Sequence, residues 1–161
     1  MAKYSAGKNS YEVVLCSKED IEGDYYRVFT LVSDVDSDLY VEWMETAVEQ
    51  ELAFRCTKNG VLAGFIYVRK EKNHWLGCSL LGLDVVGMML AWKELYEKIG
   101  DVFVKFNPHE GELGQLKSLV TGTSVRRYYN GVGYISVSTK KLAVKQERLY
   151  RLLGVRDECG S

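Results

Sequence analysis

The stretch Gln115–Ser138 constrains the fold more than any other part of the chain. Its apolar run Leu116–Thr121 has the length of a buried strand. Ser124 is placed to cap a short helix over Val125–Asn130, because its hydroxyl can accept a bond from a first-turn amide. Two glycines follow, and the pattern then alternates over Tyr134–Thr139, as in a strand with one solvent-facing side. The stretch therefore predicts a strand, a short helix and a second strand.

The elements before this stretch follow from periodicity and turn signals. In chain order they are a strand Tyr11–Leu15, a helix from a Ser17–Asp20 capping box to Val32, a helix from Ser37, strands Leu52–Thr57 and Val61–Arg69, a strand Trp75–Leu83, and an amphipathic helix from Val85 to about Gly100. Asn59-Gly60 between two of these strands indicates a hairpin. Val102–Phe106 fits either a strand or an extension of the preceding helix.

A terminal helix is predicted over residues 140–153, where leucines recur at helical spacing. It carries a run of basic side chains, namely Lys140, Lys141, Lys145, Arg148 and Arg151. A solvated basic face is one interpretation of this run, and contact with nucleic acid is the other.

Composition limits the class of protein. The chain has 161 residues, 47% apolar and 27% charged, which favours a single globular domain over residues 1–161. The formal net charge of -1 argues against a general electrostatic grip on nucleic acid. The first ten residues are polar, and no run approaches the ~20 apolar residues of a membrane span. We therefore expect a cytoplasmic protein without a membrane partner.

Neither a metal site nor a disulfide framework is expected. The four cysteines are scattered, without a CxxC pair, and the chain has only two histidines. The cysteines are Cys16, Cys56, Cys78 and Cys159. Asp34, Asp36 and Asp38 alternate as in a calcium loop, but the glycine and closing glutamate of an EF-hand are missing, so a solvated turn is expected.

The segment Tyr129–Tyr134, YNGVGY, resembles the acceptor-side motif of the GNAT superfamily of acyl-CoA N-acyltransferases. The order of elements from about Tyr11 to Thr139 also resembles that family. The resemblance implies an α+β (three-layer α/β) fold in which helices flank a mixed, splayed central sheet. It also implies that the thioester of acetyl-CoA enters the gap in the sheet and that a primary amine takes the acetyl group.

The resemblance implies roles for individual residues. Tyr129 stands where the family places the tyrosine that protonates the departing thiolate, and Tyr128 is its counterpart if the register differs by one. No general base stands out from the residues. We select His74, at the start of the third strand, with His109 and Glu110 as alternatives, and a bound water or the solution is a further candidate for taking the proton.

In the family, amides at the start of the long helix hold the CoA pyrophosphate. The corresponding positions here are Leu83, Val85, Val86, Gly87 and Met88. Asp84 lies among them, and the segment has one glycine and no basic residue. An aspartate there suits a helix N-cap but repels a phosphate.

An alternative is a GNAT-like scaffold without catalysis. Thr123, Ser124, Arg127 and Tyr128 resemble a stretch of small internal virion proteins of short-tailed phages. That alternative implies phage particle components as partners and a place in the virion. A phage setting for the enzyme instead suggests host cytoplasm and an aminomethylated base in viral DNA as the acceptor, approached by the basic terminal helix.

Overall fold

A single nine-stranded sheet organises the described part of the chain in this computed structural model, which covers residues 2–21, 37–71, 74–82, 84–100, 103–106, 124–129 and 132–158. The strands are β1 (Ala2–Ala6), β2 (Asn9–Leu15), β3 (Ala53–Lys58), β4 (Val61–Glu71), β5 (His74–Gly82), β6 (Phe103–Phe106), β7 (Ser124–Tyr129), β8 (Val132–Ser138) and β9 (Val155–Asp157). Their spatial order is β7-β8-β6-β5-β4-β3-β2-β1-β9. Among these strands only β5 and β6 pair in parallel, so the predicted mixed sheet is confirmed.

In the described ranges three helices accompany the sheet: α1 (Ser37–Glu49), α2 (Val85–Ile99) and α3 (Thr139–Leu153). Residues 18–21 are also helical. There Asp20 accepts a bond from the Ser17 amide at 2.9 Å, and the Asp20 amide donates to the Ser17 hydroxyl at 3.3 Å. This reciprocal pair confirms the predicted capping box.

The turn between β3 and β4 has the backbone conformation that the sequence predicts. Asn59 and Gly60 both have positive φ, 52° and 83°. A two-residue hairpin turn with positive φ at both positions matches the right-handed twist of its strands. The Asn-Gly signal therefore identified this hairpin correctly.

The core lies between the sheet and α2, whose buried side chains pack on β3 and β4. The start of α2 lies unusually close to β4. A Cβ added to Gly64 would stand 2.5 Å from the carbonyl carbon of Gly87, and one added to Gly87 would stand 2.6 Å from the Cβ of Ala63. The two glycines thus let the helix backbone approach the strand backbone directly.

The predicted helix Val125–Asn130 is wrong. The segment is strand β7, antiparallel to β8, with Tyr129 opposite Val132. A six-residue helix gains too few hydrogen bonds to offset its nucleation cost, whereas the β-branched and aromatic residues of VRRYY favour a strand. The Asn130-Gly131 dipeptide between the strands is itself a hairpin signal.

Other predictions near the chain ends need smaller corrections. Val102–Phe106 contains a strand, β6, rather than a helical extension. The terminal helix is confirmed as α3, but β1 and β9 were not predicted, and β1 pairs with both β2 and β9. The predicted strand Leu116–Thr121, the first helix beyond residue 21 and the aspartates at 34 and 36 lie outside the described residues.

None of the described helices is long and apolar enough to cross a membrane. Within the same ranges, no group of three or more histidine, cysteine or acidic side chains is placed to hold a metal ion. Cys16 and Cys56 lie in the core, 7% and 0% exposed, and are not joined to each other by a disulfide. Burial raises the pKa of the Cys56 thiol to about 12, which keeps it protonated and unreactive at neutral pH.

The contact between β4 and α2 predicts a large effect of one methyl group. Gly64→Ala should lower the free energy of unfolding by roughly 1–3 kcal/mol, because the new Cβ overlaps backbone that cannot rotate away. Val61→Ala on the same strand is the control, since Val61 is 54% exposed. Urea unfolding of both variants measures the difference. Equal losses would contradict the close contact.

Candidate functional site

The sheet opens between β5 and β6. These parallel strands pair over three positions only, with Trp75 opposite Val104 and Gly77 opposite Phe106. On its other side β5 stays paired with β4 as far as Gly82. Residues 78–82 of β5 therefore have no described strand beside them on the β6 side. Peptide groups that face this side are left to bond with something other than a strand.

A bulge in β5 coincides with the opening. Val68 of β4 is opposite Gly77, and Tyr67 is opposite Ser79, so Cys78 is an extra residue in β5. A bulge bends its strand and increases the local twist. Cys78 directly follows the last residue that pairs with β6, so the bulge lies where the described pairing between β5 and β6 ends. The predicted splay of the sheet is found here.

The register assigns the two predicted catalytic residues to opposite ends of the sheet. Gly77 of β5 is opposite Phe106 of β6, which is itself opposite Ile135 of β8. Tyr129 of β7 is opposite Val132, which lies three residues from Ile135 toward the open end, the end at which β5 and β6 no longer pair. His74 lies three residues from Gly77 in the other direction. Six residues at ~3.3 Å each separate the two levels by about 20 Å along the strands. The structure does not bring Tyr129 and His74 together.

The start of α2 lies at the open end, directly after β5. Of the predicted cofactor-binding residues, Val85, Val86, Gly87 and Met88 form the first turn of this helix, and Leu83 lies outside the described residues. Gly87 and Met88 are buried against the sheet, whereas Val85 is 57% exposed. Only the first two positions of the turn can therefore meet a ligand.

Asp84 occupies the N-cap of α2, as its sequence position predicts. Its Oδ1 accepts a bond from the Gly87 amide at 3.0 Å and from the Tyr11 hydroxyl at 3.3 Å. Its Oδ2 accepts from Lys58 Nζ at 2.9 Å. The carboxylate is thus bonded on both oxygens, and its charge is balanced by one ammonium group.

These contacts determine the charge of Asp84. Partial burial opposes ionisation, but the Gly87 amide, the Lys58 ammonium and the Tyr11 hydroxyl together outweigh burial, so the pKa of Asp84 lies below its ordinary value of 3.8. The carboxylate beside Lys58 in turn raises the pKa of that ammonium. Both groups are charged throughout the physiological pH range.

Lys58 and Tyr11 were not among the predicted site residues. They lie 26 and 73 positions before Asp84 in the chain, and they meet because β2 and β3 pair with Tyr11 opposite Lys58. No local pattern contains this information. Lys58 and Tyr11 can be recognised as neighbours of Asp84 only once the strand register is known.

The open end of the sheet fits the pantetheine arm of a CoA thioester better than it fits the pyrophosphate. Peptide groups on the side of β5 that has no described neighbour can bond the amides of a pantetheine arm, as one strand bonds another. The start of α2 does not fit a pyrophosphate, because the Asp84 carboxylate already takes the Gly87 amide and presents negative charge to the phosphates.

α3 carries exposed basic side chains near both of its ends. Tyr150 donates to the carbonyl of Met89 at 2.9 Å, which joins the last turns of α3 to the second turn of α2. Arg148 and Arg151 flank Tyr150 and are exposed, as are Lys140 and Lys141 at the other end of the helix.

The charge state of Asp84 makes stability depend on pH. Its folded pKa lies below the unfolded value of ~3.9, so its contribution is present above about pH 4 and is lost as the pH falls through the folded pKa. Asp84→Asn keeps the N-cap but removes this pH-dependent contribution to the free energy of unfolding. The free energy of unfolding should favour the wild type by up to about 1 kcal/mol at pH 6. Urea unfolding should show this gap narrowing toward pH 3; a constant gap would contradict the assignment.

Comparisons with known proteins agree with this geometry. No protein-family model and no curated protein matches the chain. Among solved structures, Ard1 from Thermoplasma volcanium matches with a TM-score of 0.56 and 17% identity, over 78% of this chain and 94% of that one. A GNAT-family acetyltransferase from Listeria monocytogenes has a TM-score of 0.54 and 15% identity, over 83% and 97% of the two chains. The PaiA N-acetyltransferase of Thermoplasma acidophilum, solved with coenzyme A, has a TM-score of 0.52 and 12% identity, over 78% and 96%. The chain therefore has the fold of the GNAT acetyltransferases.

Proposed function

We propose that the protein is an N-acyltransferase that moves an acetyl group from a pantetheine thioester, such as acetyl-CoA, to a primary amine. The observation that carries this proposal is the edge of β5 from residue 78 to Gly82, beside which the described part of the chain has no strand on the β6 side; we call it the free edge. Two structures with the same fold support the donor, since one was solved with coenzyme A and the Arabidopsis thaliana Naa50 structure with the bisubstrate analogue CoA-Ac-MVNAL.

The free edge supplies what a thioester needs. Pantetheine amides pair with the unpaired peptide groups of β5, which orients the arm along the strand and brings its thioester into the opening. An unpaired N–H of the same edge donates to the thioester carbonyl oxygen and stabilises the negative charge that develops there. Strand geometry holds these donors in place before the substrate arrives.

Tyr129 provides the proton in the transfer. The amine nitrogen attacks the carbonyl carbon, a C–N bond forms, the C–S bond breaks, and the leaving sulfur takes the proton of the Tyr129 hydroxyl. The deprotonated phenol recovers a proton from solvent, and the amine loses its extra proton. The resemblance at Tyr129 supports this role. The register sets Tyr129 at the level of the β5 residues that follow Gly77, with β8 and β6 between the two strands.

The proton that leaves the amine passes to water in this proposal. His74 lies about 20 Å from the level of Tyr129 along the strands, so it does not act on the same amine. His109 and Glu110 lie outside the described residues.

The acceptor we would test first is an aminomethylated base in viral DNA, modified in the host cytoplasm. The exposed basic residues of α3 support an anionic acceptor, because phosphates bind lysine and arginine side chains. Transfer of radiolabelled acetyl to DNA that carries the base, with unmodified DNA as the control, tests this acceptor. Label that appears only on small amines would contradict it.

A non-catalytic scaffold is the second candidate, and one observation favours it. Asp84 closes the helix start at which a phosphate group of the donor would bind. A scaffold in a phage particle would be recovered from purified particles in a fixed copy number and would bind no thioester. Calorimetric titration with acetyl-CoA separates the two candidates, since only the enzyme releases or absorbs heat.

Tyr129→Phe should separate chemistry from binding. Loss of the hydroxyl removes the proton donor, so turnover should fall about 10²–10⁴-fold while donor affinity changes less than about twofold. Tyr128→Phe is the matched control, because it removes the same group one residue away on the same strand. Acetyl transfer to a primary amine and calorimetric titration measure the two quantities.

Normal turnover of Tyr129→Phe would contradict its role as the acid. Loss of turnover in Tyr128→Phe instead would move that role to the neighbouring residue.

A further inference from the structure

We infer that the protein recognises its acyl donor through the pantetheine arm and thioester alone, and that the 3′-phosphoadenosine diphosphate part of CoA adds nothing to binding. This inference rests on the proposed acyl transfer and names its donor class: thioesters of pantetheine, whatever the far end of the arm is attached to.

The start of α2 is the described helix terminus nearest the free edge of β5, with one residue between Gly82 and Asp84. A diphosphate placed there would need free amides and a positive field. A helix start leaves four amides without an intrahelical partner, here those of residues 84–87. The Gly87 amide donates to Asp84 Oδ1 at 3.0 Å, and the Asp84 amide donates to the Ala63 carbonyl at 2.9 Å. Two of these four amides are therefore already bonded within the chain.

Charge at this site also opposes a phosphate. The Asp84 side chain is 23% exposed, and its carboxylate is ionised, so a phosphate at this helix start would lie beside a carboxylate. Lys58 Nζ stands 2.9 Å from that carboxylate, which means that its positive charge is balanced before any ligand binds. The helix start thus offers an anion at most two of its first four amides, and it carries no net positive charge from side chains.

The pantetheine part of the donor meets no such obstacle. It is neutral, its two amides match the hydrogen-bonding pattern of a strand, and the five residues of β5 after Gly77 give it a length of about 16 Å. Donor affinity should therefore come from this edge, and it should depend little on the charge or size of the group beyond the arm.

Calorimetric titration of the full chain with CoA, pantetheine and adenosine 3′,5′-bisphosphate tests the inference at low salt, where charge effects are largest. CoA and pantetheine should bind with dissociation constants within about threefold of each other, and the bisphosphate should give no heat. Asp84→Asn should then tighten CoA roughly tenfold through the freed Lys58 charge and leave pantetheine unchanged.

Asp20→Asn is the matched control, since it removes one carboxylate from the capping box at another helix start. It should change neither affinity.

Two results would overturn the inference, and they differ in what else they remove. If CoA binds the wild type more than tenfold tighter than pantetheine does, the nucleotide is held after all, for example by Arg148 or Arg151, and acyl transfer still stands. If neither ligand binds, the free edge is not a donor site, and the proposed function fails with the inference.

Discussion

The extra residue in β5 is the constraint on which the rest of the site depends. A regular strand would pair with β4 on one side and β6 on the other along its whole length. Cys78 interrupts the ladder with β4, and pairing with β6 ends at the preceding residue. A bulge changes strand direction at the cost of one unpaired residue. Beyond this position, among the residues that the structure describes, β5 has a neighbouring strand on one side only.

Packing at the start of α2 keeps the opening in place. Gly64 and Gly87 allow the helix to lie directly on β4, and the Asp84 amide donates to the Ala63 carbonyl at 2.9 Å. The helix start is therefore anchored by strand backbone rather than by flexible side chains. The same anchoring positions Asp84 beside Lys58 and Tyr11, so the geometry that shapes the opening also determines the charge at its edge.

Local signals were sufficient where a few neighbouring residues determine the backbone. The Asn59-Gly60 turn, the Ser17–Asp20 capping box and the Asp84 N-cap each depend on contacts within three or four residues, and all are present. The GNAT-like element order was also readable, because long amphipathic elements carry strong periodicity.

The errors share the opposite property. Ser124 suggested a helix start, but β7 is stabilised by pairing with β8, which no single-strand pattern reveals. The Lys58–Asp84 ion pair and the distance between His74 and Tyr129 are both consequences of strand register. Site residues that lie on different strands therefore could not be grouped from the sequence, although the strands that carry Tyr11, Lys58 and His74 were predicted.

Amide hydrogen exchange along β5, measured residue by residue with and without S-acetylpantetheine, tests the central claim most directly. The free edge predicts that alternate amides of residues 78–82 exchange quickly in the free protein and slow at least tenfold when the thioester binds, while amides bonded to β4 stay protected throughout. Uniformly slow exchange of all these amides before any ligand is added would mean that the edge is already paired, and the account would be wrong.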